Sequence, residues 1–97
     1  RTGIAMEIPQ GYVGLIWDKS GVSLKRGIKV LGGVIDAGYR GEIRIGLINL
    51  GSETVSFEAG QKVAQMLIQS VASPEIVEVT ELGDTERGEG GFGSTGE

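Results

Sequence analysis

The sequence contains no cysteine and no histidine among its 97 residues. Without cysteine there is no disulfide framework, no thiol nucleophile and no thiolate metal site. Without histidine the chain lacks the commonest general base, the serine triad and the ligand of most zinc sites. Any catalysis must therefore depend on carboxylates, lysine, arginine, tyrosine, hydroxyl groups or a hard metal ion.

The sequence also has no apolar run of membrane-spanning length and no signal-peptide pattern at its start, so we expect no membrane partner. We expect an intracellular protein, cytoplasmic or, from a eukaryotic or viral source, nuclear. Residues 1–74 carry eight basic and six acidic side chains, whereas residues 75–97 carry one basic residue, Arg87, and seven acidic ones. The basic residues form no stripe, so we expect no nucleic-acid partner.

Short segments of alternating apolar and polar residues predict a single all-β domain. The alternation is visible in residues 4–8, 43–48, 63–68 and 77–79, and glycine and proline separate the segments. Seven or eight short strands favour a sandwich, jelly roll or small barrel, with a helical turn allowed over residues 20–26. Residues 43–50 are apolar on both faces, which favours a symmetric oligomer.

The first two of four clusters that could carry chemistry lie in the first half of the chain. In Asp18-Lys19-Ser20-Gly21, a cation, a hydroxyl and an amide could bind phosphate, although the tetrapeptide alone favours an ordinary turn. In residues 33–42, Asp36 at a strand end could orient a water, and Tyr39 could form the floor of a sugar pocket. A hairpin in which Asp36 caps the turn and Tyr39 packs fits equally well.

The other two clusters lie in residues 60–66 and 87–97. The first has no chemical specificity of its own and fits a turn that leads into a strand, with Gln65 on one face. The second contains five glycines, so it cannot build a core, and disorder is its plain interpretation. Arg87, Phe92 and a Ser-Thr pair nevertheless suit a segment that closes over a ring and phosphates. No Lys precedes the Ser-Thr pair and no strand-helix unit follows, which excludes Walker and dinucleotide-binding loops.

Taken in order, the clusters resemble the motifs of the homotrimeric deoxyuridine triphosphate diphosphatases (dUTPases). Ser20-Gly21-Val22 resembles the second motif, P-R-S-G-L-A, and residues 33–42 resemble the third, G-x-I-D-x-D-Y-R-G-E. Residues 60–67 resemble the fourth, G-D-R-I-A-Q-L. Residues 87–96 match every fixed position of the fifth, R-G-x-G-G-F-G-S-T-G. The resemblance covers nearly the whole chain.

The resemblance implies an all-β fold of the dUTPase jelly-roll or β-barrel type (β-clip), with a core over residues 1–82 and a flexible glycine-rich lid over residues 83–97. It also implies a homotrimer with sites at subunit interfaces, closed by the tail of another subunit. The implied partners are the substrate dUTP and the products dUMP and pyrophosphate. The implied cofactor is Mg²⁺, bound mainly through substrate phosphates and waters rather than through protein ligands.

The resemblance also implies a role for individual residues. Asp36 would hold the nucleophilic water, Tyr39 would lie against deoxyribose and exclude a 2′-hydroxyl, and Phe92 would stack on uracil. The positions implied to read the base are Gly33, Val34 and Ile35, with Arg44 near the site. The positions implied to bind phosphates are Lys19, Ser20, Gly21, Gln65, Arg87, Gly93, Ser94 and Thr95.

The sequence departs from the family pattern in several places. The first motif is absent, and the segment that opens the chain resembles the one just after it, so we expect a truncated chain that lacks about one strand. Asp18-Lys19 replaces Pro-Arg, Gly38 replaces the second Asp of the third motif, and Gln61-Lys62 replaces Asp-Arg. These differences leave two alternatives to a dUTP diphosphatase: a nucleotide-binding regulator on the same fold, or an enzyme related to dCTP deaminase.

Overall fold

The computed structural model describes residues 1–93, which form strands, connecting segments and one short helix. In chain order the elements are β1 (Tyr12–Asp18), α1 (Ser20–Arg26), β2 (Ile28–Val30), β3 (Val34–Ile35), β4 (Leu47–Asn49) and β5 (Ala64–Ser70). One antiparallel sheet has the strand order β3-β1-β5, and β2 pairs with β4 in a second antiparallel sheet. Within residues 1–93, no helix has both the length and the apolar character needed to cross a membrane.

The central strand β1 pairs along its whole length with β5, from Tyr12 opposite Ser70 to Asp18 opposite Ala64. Its residue Gly14 is buried, and a Cβ there would lie 2.9 Å from Cδ1 of Ile8 and 3.1 Å from the sulfur of Met66. Such distances are shorter than ordinary contacts between apolar atoms. The absence of a side chain at Gly14 therefore lets the neighbouring segments pack closely against β1.

The short helix α1 connects the two sheets. It follows the extended residue Lys19 and ends at Gly27, whose φ of 72° lies in the left-handed region that glycine adopts readily. Lys25 and Arg26 occupy the last turn, where positive charge interacts favourably with free carbonyl groups. The helical turn predicted over residues 20–26 is thus confirmed.

The described part of the chain is flat and has little core. Its buried apolar side chains are those of Ile8, Val22, Ile28, Val30 and Ile43. The accessible surface is 8250 Å², whereas a compact monomer of this mass exposes about 5300 Å². The radius of gyration is 19.1 Å, against about 12.5 Å for a compact domain of this length.

The strands differ from the predicted alternating segments in a way that backbone pairing explains. Residues 64–68 of the predicted segment 63–68 lie in β5, and only Leu47–Asn49 of the segment 43–50 forms a strand. Residues 4–8 and 77–79 form no strand in the described chain, although the Ile43 N–H donates to the Ile4 carbonyl at 2.8 Å. Alternation reports only the two faces of a segment, whereas a strand also needs a hydrogen-bonded neighbour.

Candidate functional site

A pocket of about 250 Å³ lies beside the end of β3 and the turn that follows it. Five of its six lining residues are among those predicted from the sequence. The lining residues are Val34, Ile35, Asp36, Tyr39, Glu42 and Arg44. Apolar, acidic, aromatic and basic side chains therefore surround one small cavity.

The edge strand β3 positions the start of this pocket. Val34 lies opposite Leu15 and Ile35 opposite Gly14, and the Ile16 N–H donates to the Gly33 carbonyl at 3.0 Å. In an antiparallel pair, hydrogen-bonded and non-hydrogen-bonded residues alternate. Since Gly33 is bonded to β1, the N–H and C=O of Val34 point away from β1. They lie on the outer edge of the sheet.

A tight turn places Asp36 and Tyr39 together. The Tyr39 N–H donates to the Asp36 carbonyl at 3.1 Å, so the main chain reverses directly after β3. The guanidinium of Arg40 donates to the Ala37 carbonyl at 2.7 Å and supports the same turn. The carboxylate of Asp36 is left exposed and forms no hydrogen bond with any residue of the described chain.

The ring of Tyr39 lies over the backbone of Gly41. Its hydroxyl donates to the Glu42 carbonyl at 2.7 Å, and a Cβ on Gly41 would lie 2.5 Å from that hydroxyl oxygen. The side chain of Glu42 in turn accepts from the Gly3 N–H at 2.8 Å. Tyr39 keeps 44% of its surface exposed, so one part of the ring is open to a ligand.

Gly41 and Glu42 also shape this pocket, although the sequence predicted no role for either residue. Glycine contributes here by leaving space for a ring, and Glu42 contributes a main-chain oxygen that every residue type would supply. Neither contribution can be inferred from residue chemistry, although both residues lie in the third motif. Their position two and three residues after Tyr39 was the only feature of the sequence that could have pointed to contacts with its ring.

A second group of predicted residues lies at the end of β1. Lys19, Ser20 and Gly21 form the transition into α1, and Gln65 lies on the neighbouring strand β5. The Gln65 amide donates to the main-chain oxygen of Asp18 at 2.6 Å. We call residues 19–21 the phosphate turn, after the role that the sequence predicts for them.

Asp18 is held on its other side by β2. One carboxylate oxygen accepts from the Lys29 ammonium at 2.6 Å, and the other accepts from the Val30 N–H at 2.8 Å. The hydrogen bond from Lys29, followed by that from Val30, holds the pKa of Asp18 below its ordinary value of 3.8. Asp18 is therefore ionised at neutral pH.

The two groups lie towards opposite ends of β1. The pairing of Gly14 with Ile35 places Asp36 opposite Val13, at the end of the strand away from Asp18. Val13 and Asp18 are five positions apart, which corresponds to about 17 Å along a strand. The phosphate turn and Asp36 of one copy are therefore well apart.

Within the described residues 1–93, the hydrogen bonds of the tail segment 85–93 join only residues of that segment. The Gly90 N–H donates to the Arg87 carbonyl at 2.9 Å, and the Arg87 side chain donates to the Gly90 carbonyl. Phe92 is fully exposed. Ser94 and Thr95, predicted to bind phosphate, lie outside the described residues.

The sequence profile of the dUTPase family matches residues 1–96. The chain belongs to the dUTPase family. It is 52% identical over 97 residues to the deoxyuridine 5′-triphosphate nucleotidohydrolase of Hydrogenobaculum sp. (strain Y04AAS1), covering 98% of this chain and 67% of that protein. It is 53% identical over 98 residues to the enzyme of the same name from Clostridium novyi (strain NT). That match covers 99% of this chain and 69% of the Clostridium protein.

Comparison with solved structures indicates the same family. The fold resembles a mutant dUTPase of Staphylococcus bacteriophage 80alpha crystallised with dUpNHpp, with a TM-score of 0.84 and 33% identity over 94% of this chain and 70% of that one. It also resembles a mutant dUTPase of phage phi11 of S. aureus, described with a structural Mg(II) ion, with a TM-score of 0.73 and 29% identity over 82% and 69%. The predicted family and its all-β, dUTPase-like fold class are confirmed.

The donor groups of the described chain bear on the expected metal. Among residues 1–93 no three acidic side chains are gathered in a way that could hold a metal ion. Mg²⁺ commonly keeps several waters and binds through substrate phosphates together with one or two carboxylates.

Proposed function

We propose that the chain hydrolyses dUTP to dUMP and pyrophosphate. The observation that carries this proposal is the 250 Å³ pocket, which brings Asp36, Tyr39 and Arg44 together in a member of the dUTPase family. The names of the relatives and the dUpNHpp bound to the phage 80alpha enzyme support dUTP as the substrate class.

The outer edge of β3 supports recognition of uracil by the backbone. Uracil presents an N–H donor between two carbonyl acceptors, and an edge strand presents unpaired N–H and C=O groups. The N–H and C=O of Val34 point to that edge, because Gly33 is bonded to β1 on the inner side. Cytosine lacks the hydrogen at the corresponding ring nitrogen, so it would leave the Val34 carbonyl without a donor.

The exposed part of the Tyr39 ring supports binding of deoxyribose. The ring is fixed by its hydroxyl at Glu42 and by its position over Gly41. A rigid aromatic surface packs against the sugar carbon that carries only hydrogen in a deoxynucleotide. A ribose 2′-hydroxyl would collide with the ring, so the site would exclude UTP.

The exposed carboxylate of Asp36 supports its role as the general base. It would accept a hydrogen bond from a water and take its proton as the water oxygen bonds to the α-phosphorus. The bond between that phosphorus and the oxygen bridging to the β-phosphorus then breaks, and pyrophosphate leaves with the electron pair. Arg44, in the same pocket, would stabilise the negative charge on the phosphates.

The remaining phosphate contacts would come from the phosphate turn, from Gln65 and from the tail. Lys19 and Arg87 would supply positive charge, and Ser94 and Thr95 would supply hydroxyl groups. When bound, Mg²⁺ would neutralise further phosphate charge.

Residues 1–82 would act as the core and residues 83–97 as the lid, with Phe92 stacking on uracil and excluding water. The local hydrogen bonding of residues 85–93 supports this division.

The separation of Asp36 from the phosphate turn supports a site shared between subunits of a homotrimer. The two groups lie about 17 Å apart along β1 in one copy, which favours a site that takes one group from each of two copies. The large exposed surface supports burial against other copies. One copy would then supply Asp36 and Tyr39, and a second would supply Lys19 and Ser20.

The test is pyrophosphate release from dUTP, dCTP, dTTP and UTP, measured with Mg²⁺ and with EDTA. We expect selective, Mg²⁺-dependent hydrolysis of dUTP by the full chain, and its loss in a chain that ends before Arg87. If the chain binds dUTP but hydrolyses none of the four nucleotides, the result would instead support a nucleotide-binding regulator. Release of ammonia from dCTP would support the deaminase alternative.

A further inference from the structure

We propose that Asp18 is a positioning residue that fixes the phosphate turn, residues 19–21, through hydrogen bonds to β2 of the second sheet and to the neighbouring strand β5. The inference rests on the proposed phosphate-binding function of that turn. Asp18 itself is not expected to touch the nucleotide. Its role would be to hold Lys19 and Ser20 in the geometry that phosphates require.

The carboxylate of Asp18 ties the end of β1 to β2. Its two oxygens are engaged separately, one by the Lys29 ammonium at 2.6 Å and one by the Val30 N–H at 2.8 Å. Hydrogen bonds to an ionised carboxylate are shorter and stronger than neutral ones. The Asp18 side chain is only 20% exposed, so the rest of the protein restricts its movement.

The main-chain oxygen of Asp18 ties the same residue to β5. It accepts from the side-chain amide of Gln65 at 2.6 Å. A peptide unit is planar, so fixing the Asp18 oxygen also fixes the direction of the Lys19 N–H. An amide nitrogen carries two hydrogens, so Gln65 retains a second N–H for its predicted phosphate contact.

The next peptide unit is fixed by α1. The Lys19 carbonyl accepts from the Val22 N–H at 3.0 Å and from the Ser23 N–H at 2.9 Å. Hydrogen bonds therefore hold the peptide units on both sides of Lys19. Among the described residues, the side chains of Lys19 and Ser20 form no hydrogen bond, and the backbone that carries them is already ordered.

Such pre-organisation has a measurable consequence. A group that is already in place stabilises phosphate charge without reorganising when the substrate binds. Loosening the turn should therefore weaken interactions with phosphates and leave those with the base and sugar unchanged. A general structural role would weaken both.

The test uses two disruptive variants of the full chain and three controls. Asp18→Asn removes the negative charge that holds Lys29 while the side chain keeps almost the same size. Lys29→Met removes the positive partner of the same ion pair. Lys29→Arg keeps the cation. Lys25→Met removes another exposed lysine, from the last turn of α1, and Glu53→Gln removes an exposed carboxylate after β4.

Three quantities are measured for each protein. They are kcat/KM for dUTP, the dissociation constant of dUpNHpp by calorimetry, and the inhibition constant of deoxyuridine, which carries no phosphate. We expect Asp18→Asn and Lys29→Met to lower kcat/KM and dUpNHpp affinity by roughly tenfold. Deoxyuridine inhibition should not change, and all three control variants should match the wild type.

Wild-type affinity for dUpNHpp in both disruptive variants would overturn the inference. An equal loss of dUpNHpp and deoxyuridine binding would overturn it too, because it would indicate general disruption of the site. The dUpNHpp measurement does not depend on turnover. A wild-type chain that binds dUpNHpp but does not hydrolyse dUTP would therefore refute the proposed activity while still deciding the role of Asp18.

Discussion

Asp36 is the residue on which the proposed chemistry depends most. The chain has no histidine, so a carboxylate is the natural proton acceptor near neutral pH. The turn after β3 uses the main-chain oxygen of Asp36 to bind the Tyr39 N–H, which leaves the carboxylate oxygens to a water. Asp18, by contrast, has both carboxylate oxygens occupied by protein groups.

Replacement of Asp36 by asparagine tests this assignment. An amide has a similar shape but cannot take the proton of water, so we expect kcat to fall by about 10²- to 10⁴-fold. The affinity for dUpNHpp should stay close to that of the wild type, as measured by calorimetry. Glu53→Gln serves as the control for loss of one negative charge. A kcat unchanged by Asp36→Asn would exclude Asp36 as the base.

Single residues differ in how far the sequence reveals their roles. Asp36 and Tyr39 were predicted because the segment around them resembles the third dUTPase motif, and the structure places both in one pocket. Asp18 was considered only as part of a phosphate-binding tetrapeptide. Its contacts with Lys29 and Val30 join residues more than ten positions apart, which local sequence cannot reveal.

At the scale of elements, the turn between β3 and β4 fixes the ring of Tyr39, the proposed contact for the sugar. Tyr39 packs over Gly41 within this turn, and the close approach depends on the missing side chain. The neighbouring glycine, Gly38, has open space around its Cβ position. The two glycines therefore offer a matched pair in the same connecting segment.

Gly41→Ala should impair discrimination between deoxyribose and ribose. The new Cβ would lie 2.5 Å from the Tyr39 hydroxyl oxygen and 2.7 Å from the ring carbon that bears it, so the ring must move. We expect the ratio of kcat/KM for dUTP to that for UTP to fall roughly tenfold. Gly38→Ala should leave the ratio unchanged. An unaltered ratio in Gly41→Ala would mean that Tyr39 does not exclude the 2′-hydroxyl.

Helices and strands were predictable from the sequence where the local residue pattern matches the backbone hydrogen bonding of the folded chain. The alternation in residues 63–68 and the helical turn over residues 20–26 correspond to β5 and α1. The alternation at Val77 and Val79 corresponds to no strand in the described chain, and both side chains are largely exposed. Pairing partners, unlike side-chain periodicity, are a property of the assembled sheet.

At the scale of the whole molecule, the chain has more accessible surface than a compact monomer of its mass, and large apolar side chains contribute to it. Ile76 is 95% exposed and Leu82 is 83% exposed, and both lie in the segment between β5 and the tail. Exposed apolar side chains of this kind favour association. In the proposed shared site, association also brings the Asp36 pocket of one copy to the phosphate turn of another, whereas within one copy the two lie about 17 Å apart along β1.

Complementation between two inactive variants tests this shared site. In Asp36→Asn the phosphate turn is intact, and in the double variant Lys19→Met, Ser20→Ala the Asp36 pocket is intact. Each variant alone should be inactive, whereas subunits refolded together should recover about a quarter of wild-type activity, because random assembly combines the two intact halves at that fraction of sites. Size-exclusion chromatography of the mixture confirms that the assembled state matches the wild type. If each copy instead built its own complete site, every site in the mixture would carry a defect, and the activity would not rise above that of the separate variants.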